Sequence, residues 1–352
     1  GYSHLNYNGD SMPAIITEFV SNGSLRNIIK MEMQGTSPES WTFTKKLINI
    51  YGIASGMSYL HAHNILHRDL KPDVILLDDY LHPRISGFGL TEKTILMTAS
   101  IKIQSSRGSV GSPFYMAPEI FDDESYSNAS DVYSFALLVY EIMSSKEIST
   151  DLTLFKFITK VISENYRPEL TEEIPDSYRN LIKKCWSKNP KDRPSFDQIV
   201  EELKINRGFI TDLVDESEFF DYVRFIETNN QLLDKKNATI DFKDFILEER
   251  NKKVGKEVLN APEKKRKRKD SVKKPSKQSN TESNQESLQI ENTFDINQYE
   301  IQKKIGEGSF GEVFKVKDKI TGEIYAAKVT KKKKFQGEEE DDEEDEKILD
   351  IN

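Results

Sequence analysis

Gly306-Glu307-Gly308-Ser309-Phe310-Gly311-Glu312-Val313 lies between two stretches of strand pattern. Before it, Ile301, Lys303 and Ile305 alternate with polar positions; beyond it, Val313, Lys315 and Lys317 continue the alternation. Ile320-Thr321-Gly322-Glu323 is a turn and Ile324 to Val329 a third strand, so the region from Tyr299 onward predicts an antiparallel meander punctuated by glycine. A lone G-x-G-x-x-G is a weak signal. Its dinucleotide-binding version opens a helix, whereas here both flanks are strands. Glycines let backbone N–H groups approach a phosphate closely, and Ala326-Ala327-Lys328 brings a positive charge on the next strand. The bland alternative is a Gly-rich hairpin with a surface lysine.

On either side of this meander the charge is uneven. The 352-residue chain has a formal net charge of −9. Residues 252–290 hold 12 basic and 5 acidic side chains, Glu338–Glu346 is wholly acidic, and the rest of the chain carries −7. Such a balance argues against a dedicated nucleic-acid binder. Residues 251–295, rich in Lys, Ser, Asn and Gln, predict a disordered basic linker. Within it, Lys264 to Lys269 resembles a nuclear localisation signal and suits acidic surfaces; a solvated tether is the plain reading. The acidic run likewise reads as a solvated tail. One cysteine, Cys185, excludes an internal disulfide framework and a Cys-rich zinc site. No apolar run approaches a membrane span. A cytoplasmic location is expected, nuclear if the basic run is read. The chain begins at Gly1, as an excerpt or an incomplete gene model would.

Residues 1–205 have globular patterning. Ala14 to Val20 predicts a buried strand leaving into a turn, and Ser24 caps a short helix over Leu25 to Lys30. Leu47, Tyr51, Ala54, Met57 and His61 recur at helical spacing. Ile75-Leu76-Leu77 and Arg84-Ile85 flank Asp78-Asp79 as a hairpin-like pair. Residues 131–143 are apolar nearly all round and predict a buried helix. Residues 206–250 predict a helical extension packed through Phe219, Phe220, Tyr222, Phe225 and Phe245.

A strand–loop–strand Gly motif followed by a strand lysine resembles the protein kinase fold. The first half carries the same resemblance independently. His67-Arg68-Asp69-Leu70-Lys71-Pro72 matches the catalytic loop, residues 87–89 stand in place of the D-F-G tripeptide, and Ala117-Pro118-Glu119 closes the activation segment. Asp131 fits the buried aspartate of the central helix. Arg193 fits the late arginine that pairs with Glu119, and Cys185-Trp186 points to the tyrosine-kinase-like group. The resemblance covers residues 1–205 and 296–350. It implies an α+β fold in pieces: a mainly helical C-lobe first, then a β-rich N-lobe fragment. It implies ATP as cofactor, held by Gly306, Gly308, Gly311, Val313 and Lys328 with Thr17 (the gatekeeper), Glu18 and Val20. Asp69 would be the catalytic base. Lys71 would stabilise the transferring phosphate and marks serine/threonine specificity. Arg68 would anchor a phosphorylated activation segment through Ser105, Ser106 or Ser109.

Three features depart from that pattern. The lobes are in reversed order, and the glutamate partner of Lys328 falls within or just beyond Glu338–Glu346, where no residue can be singled out. The favoured reading is the end of one kinase joined to the start of a second, residues 296–352; a circular permutation is the alternative. Val74 and Gly87 replace the two expected ligands of Mg2+, an ion that demands oxygen; Asp73 or Asp78 are the nearby substitutes. The first domain therefore reads as a pseudokinase with a regulatory or scaffolding role toward protein substrates or kinase partners. The alternatives are an active serine/threonine kinase completed by a downstream domain, and an interaction protein that binds no nucleotide.

Overall fold

The computed structural model describes residues 2–7, 10–87, 113–121, 126–148, 153–235, 241, 242, 244, 245, 297–308 and 311–329. The chain divides into two compact units, Gly1–Phe19 with Gln289–Asn352, and Val20–Leu288.

The first unit is an antiparallel sheet of strands β1 (Tyr2–Tyr7), β2 (Asp10–Glu18), β5 (Tyr299–Gly308), β6 (Gly311–Asp318) and β7 (Ile324–Val329). Their order is β1-β2-β7-β6-β5. The predicted meander is β5 to β7. Strand β2 runs farther toward the N-terminus than the predicted Ala14 to Val20, and it is half-buried because Ile15 stays 45% exposed. The two ends of the chain share this sheet: β2 pairs with β7 from Ala14↔Val329 to Glu18↔Tyr325. Alternation puts Leu5, Ala14, Ile16, Phe314, Val316, Ala327 and Val329 on one buried face. Three of these come from the N-terminal strands and four from the C-terminal ones, so the apolar face exists only when both are present.

The second unit is mainly helical. Helices α1 (Leu25–Met33) and α2 (Phe43–Ala62) precede a hairpin, β3 (Ile75–Leu77) with β4 (Pro83–Ile85). A short α3 (Pro118–Phe121) is followed by α4 (Asn128–Ser144), α5 (Leu154–Ser163), α6 (Asp176–Cys185), α7 (Phe196–Ile205) and α8 (Glu216–Asp234). Ser24 starts α1 without a side-chain cap, and the helix runs three residues beyond the predicted Lys30. Thr42 caps α2 by accepting the Lys45 N–H, and Ser195 with Gln198 forms a capping box on α7. Every residue of α4 from Ser130 to Met143 is buried, as an all-round apolar helix demands.

The extension belongs to this unit's core. Phe219, Tyr222 and Phe225 of α8 and Phe245 beyond it are buried. Gly52 of α2 makes the approach possible, since a Cβ there would overlap the Tyr222 hydroxyl and Pro83. Among the described residues no helix is long and apolar enough to cross a membrane. The linker 251–295, Lys264 to Lys269 and Glu338–Glu346 lie outside the described residues.

His82 is 2% exposed, packed on Tyr222 and Phe242. Burial, helped by the charges of Lys45 and Arg84, pushes its pKa down to about 2. In the unfolded chain the imidazole titrates near 6.5. Above that pH it is neutral in both states; below it only the unfolded chain takes up the proton, so stability falls with acidity. This group alone should cost about 2 kcal/mol between pH 7 and pH 5. Urea unfolding of the second unit at the two pH values checks it, and His82→Phe should remove that increment.

Candidate functional site

The loop from His67 to Lys71 is held from below by α4. Asp131, 1% exposed, accepts the His67 N–H at 2.9 Å with one carboxylate oxygen and the Arg68 N–H at 2.8 Å with the other. His61 Nε2 also lies 2.9 Å from Asp131. Arg68 sits at φ +66°, a left-handed conformation that a non-glycine side chain adopts only under such constraint. His67 Nε2 donates to the Ser86 carbonyl at 2.8 Å, which leaves Nδ1 to accept the Asp69 N–H at 3.3 Å. Lys71 Nζ then grips both oxygens of Asp69, at 2.8 and 2.7 Å. Asp69 is thus a half-buried carboxylate of fixed direction with one ammonium on it.

Glu119 and Arg193 meet as a buried bidentate pair at 2.6 and 2.9 Å. Arg193 also donates to the carbonyls of Ser187 and Ala129 and stacks over Tyr133. Removing one partner of such a pair costs about 3–5 kcal/mol, because the other charge is left buried.

In the first unit the strand register sets Gly306, Val313 and Lys328 on one face. Directly paired residues of antiparallel strands share a face. Gly306 opposes Val313, Val313 opposes Lys328, and Lys328 opposes Ile15. The next row is Lys315, Ala326 and Thr17. Gly308 pairs with Gly311 where the hairpin closes, and Gly311 takes φ +142°, which glycine allows. Glu18 ends β2, and Val20 opens the second unit. This face suits a polyphosphate: a lysine and a valine beside a glycine turn.

The metal positions do not fit magnesium. Val74 ends a short 3-10 turn, Pro72–Val74, and Gly87 follows Ser86 at φ +88°. Neither side chain has an oxygen. A Cβ on Gly87 would lie 2.8 Å from Val74 Cγ1 and 3.1 Å from its Cβ. The nearby carboxylates are engaged as well. Asp73 faces Arg26 at 3.3 and 3.4 Å. Asp78 accepts the N–H groups of Tyr80 and His82 and binds Arg84 at 3.1 Å. Among the described residues no group of three or more His, Cys, Asp or Glu could hold a metal ion.

Phe88, Gly89, Ser105, Ser106 and Ser109 fall outside the described residues. One polar centre escaped the sequence reading. Glu141, fully buried in α4, takes bonds from Arg26 at 3.0 Å, the Tyr115 hydroxyl at 2.7 Å and the Ile148 N–H at 2.6 Å. A second carboxylate in a helix apolar nearly all round was the available signal.

The family model described as protein tyrosine and serine/threonine kinase matches residues 5–203. Receptor-interacting serine/threonine-protein kinase 3 of Rattus norvegicus is 38% identical over 209 residues, 56% of this chain and 42% of that protein. Serine/threonine/tyrosine-protein kinase HT1 of Arabidopsis thaliana is 32% identical over 190 residues, 54% of this chain and 46% of that protein. RGS domain-containing serine/threonine-protein kinase A of Dictyostelium discoideum is 36% identical over 189 residues, 54% of this chain and 16% of that protein. The chain thus spans less than half the length of these relatives.

The overlap of Val74 with a side chain at position 87 is open to measurement. Gly87→Asp alone should lower stability by about 1–3 kcal/mol through strain and overlap. In a Val74→Asn background the cost should shrink, giving a coupling of about 1 kcal/mol in a double-mutant cycle by urea unfolding. Additive costs would show that the two positions do not touch.

Proposed function

Because the chain belongs to the protein kinase superfamily, and to its tyrosine-kinase-like type, we propose that residues 1–205 form a pseudokinase domain. It serves as a regulatory or scaffolding module, and the chain binds a nucleoside triphosphate on the Gly306–Lys328 face, which lies outside residues 1–205. The observation that carries this reading is the pair Val74 and Gly87: neither offers a side-chain oxygen, and a Cβ on Gly87 would lie 2.8 Å from Val74 Cγ1. Phosphoryl transfer rests on positioning and on neutralising charge, to which magnesium contributes heavily. Losing one strong electrostatic stabiliser costs on the order of 10²–10³ in rate, and losing two leaves little of a typical turnover of about 1–100 per second.

What remains is the scaffold of the chemistry. Asp69 is aimed and held by Lys71, as a base or a phosphate-orienting pair requires. Arg68 lies beside it with its Nε buried and unpaired among the described residues. That retention favours a second reading, an active serine/threonine kinase.

Purified chain with ATP separates these readings. ATP should raise the melting temperature to a similar degree in EDTA and in magnesium, and transfer to a generic protein substrate should be at least about 10⁴-fold below an ordinary kinase. Magnesium-dependent phosphorylation that disappears in Asp69→Ala would overturn the pseudokinase reading. No thermal shift with ATP in either buffer would favour an interaction protein that binds no nucleotide.

A further inference from the structure

The strand order of the first unit has a consequence for how its nucleotide face comes into being. Thr17 and Glu18 lie on β2, near one end of the chain, while Gly306, Gly311, Val313 and Lys328 lie on β5 to β7, near the other. We propose that this face is assembled by intramolecular closure of β7 onto the edge of β2, and that a nucleoside triphosphate touching both sides clamps the closure. The clamp rests on the nucleotide-binding reading above; the closure does not.

Three observations carry it. First, the seam is built as a continuous ladder, with β7 paired along its whole inner length to β6 on one side and to β2 on the other. Without β7, strand β2 would present an unpaired edge, and β1–β2 would be a lone hairpin, which is marginal in water. Second, the buried face crosses the seam. Ala14 and Ile16 on one side lie in the same cluster as Ala327 and Val329 on the other. Opening the seam exposes apolar surface on both pieces. Third, the rows of the polyphosphate face also cross it: Ile15 to Lys328, and Thr17 to Ala326. A ligand lying along those rows binds the closed form and cannot bind either piece equally well, so mass action favours closure.

Closure within one chain is preferred over exchange between chains. The last described residue of the second unit, Phe245, and the first of the returning segment, Asn297, are separated by 51 residues. Both segments belong to one chain, so their pairing does not weaken on dilution as exchange between chains does. The seam thus separates this arrangement from two unrelated half-domains, which would leave β2 and β7 without each other.

The chain's cysteine content makes a direct test clean. Cys185 is the chain's one cysteine; it is fully buried, and burial pushes its thiol pKa up. In the full chain, Ala14→Cys with Val329→Cys places two thiols at paired, buried positions. Mild oxidation should give a monomer with an internal cross-link on a non-reducing gel. Cross-linked dimers, or a folded chain with no cross-link, would overturn closure. A second variant leaves the sheet untouched: a specific protease site within residues 270–285, cut after purification. The C-terminal piece should co-elute with the remainder, and ATP in EDTA at about ten times its dissociation constant should slow its loss about tenfold. Immediate separation would overturn closure. ATP that shifts the melting temperature but leaves the loss rate unchanged would overturn the clamp alone. ATP that does neither would overturn the nucleotide reading and the clamp with it.

Discussion

The loop from His67 to Asp69 depends on one buried carboxylate. Asp131 is fixed on a helix packed on all sides, and it spends both oxygens on the N–H groups of His67 and Arg68. Two requirements meet there. A buried carboxylate needs donors, and a backbone turned to φ +66° at Arg68 needs a fixed partner to keep it there. The constraint then propagates. His67 carries it to the Ser86 carbonyl through one ring nitrogen and to the Asp69 N–H through the other. The segment from residue 67 to residue 86 is therefore closed by a bond from the histidine at its start to the carbonyl at its end. None of these bonds involves a metal position, so the geometry of Asp69 survives their loss.

The polar centres of the second unit form a series along α4. Asp131 near its start holds the loop, Tyr133 carries Arg193 over its ring, and Glu141 near its end gathers Arg26, Tyr115 and Ile148. Each centre joins α4 to a segment distant in sequence. Buried charge is a poor source of net stability, but a broken pair is costly. Such centres therefore specify which segments meet, while the apolar surface of α4 supplies the driving force.

Much of this was legible in the sequence, and the reasons for the rest are physical. Helices α2 and α4 follow their apolar periodicity to within a few residues. Strands β5 to β7 follow alternation and turn residues. Helix α1 ended later than predicted because nothing in its last turn forbids helix, and its end is set by the turn at Gln34 and Gly35. Strand β1 was not anticipated. It is short, and it becomes a strand by pairing with β2 from Tyr2↔Ile15 to Tyr7↔Asp10. The seam between β2 and β7 was the harder case. Ala14 and Val329 are more than 300 positions apart, and no local pattern records such a pairing. The motifs identified Asp69, Lys71, Asp131 and Arg193 because their spacing along the chain is short or characteristic. Arg26 and Glu141 have no such spacing; a charge inside an apolar helix marks Glu141, and nothing local marks Arg26.

Val74 and Gly87 look in the sequence like two separate losses. In the structure they are one local solution. A branched side chain at position 74 reaches into the space that any Cβ at position 87 would need, and Gly87 takes a left-handed backbone that glycine adopts without strain. With valine in place, glycine relieves the overlap; with glycine in place, valine fills what would otherwise be a gap. Close packing of this kind makes substitutions interdependent. Asp69 meanwhile keeps its own partner, Lys71, on both oxygens.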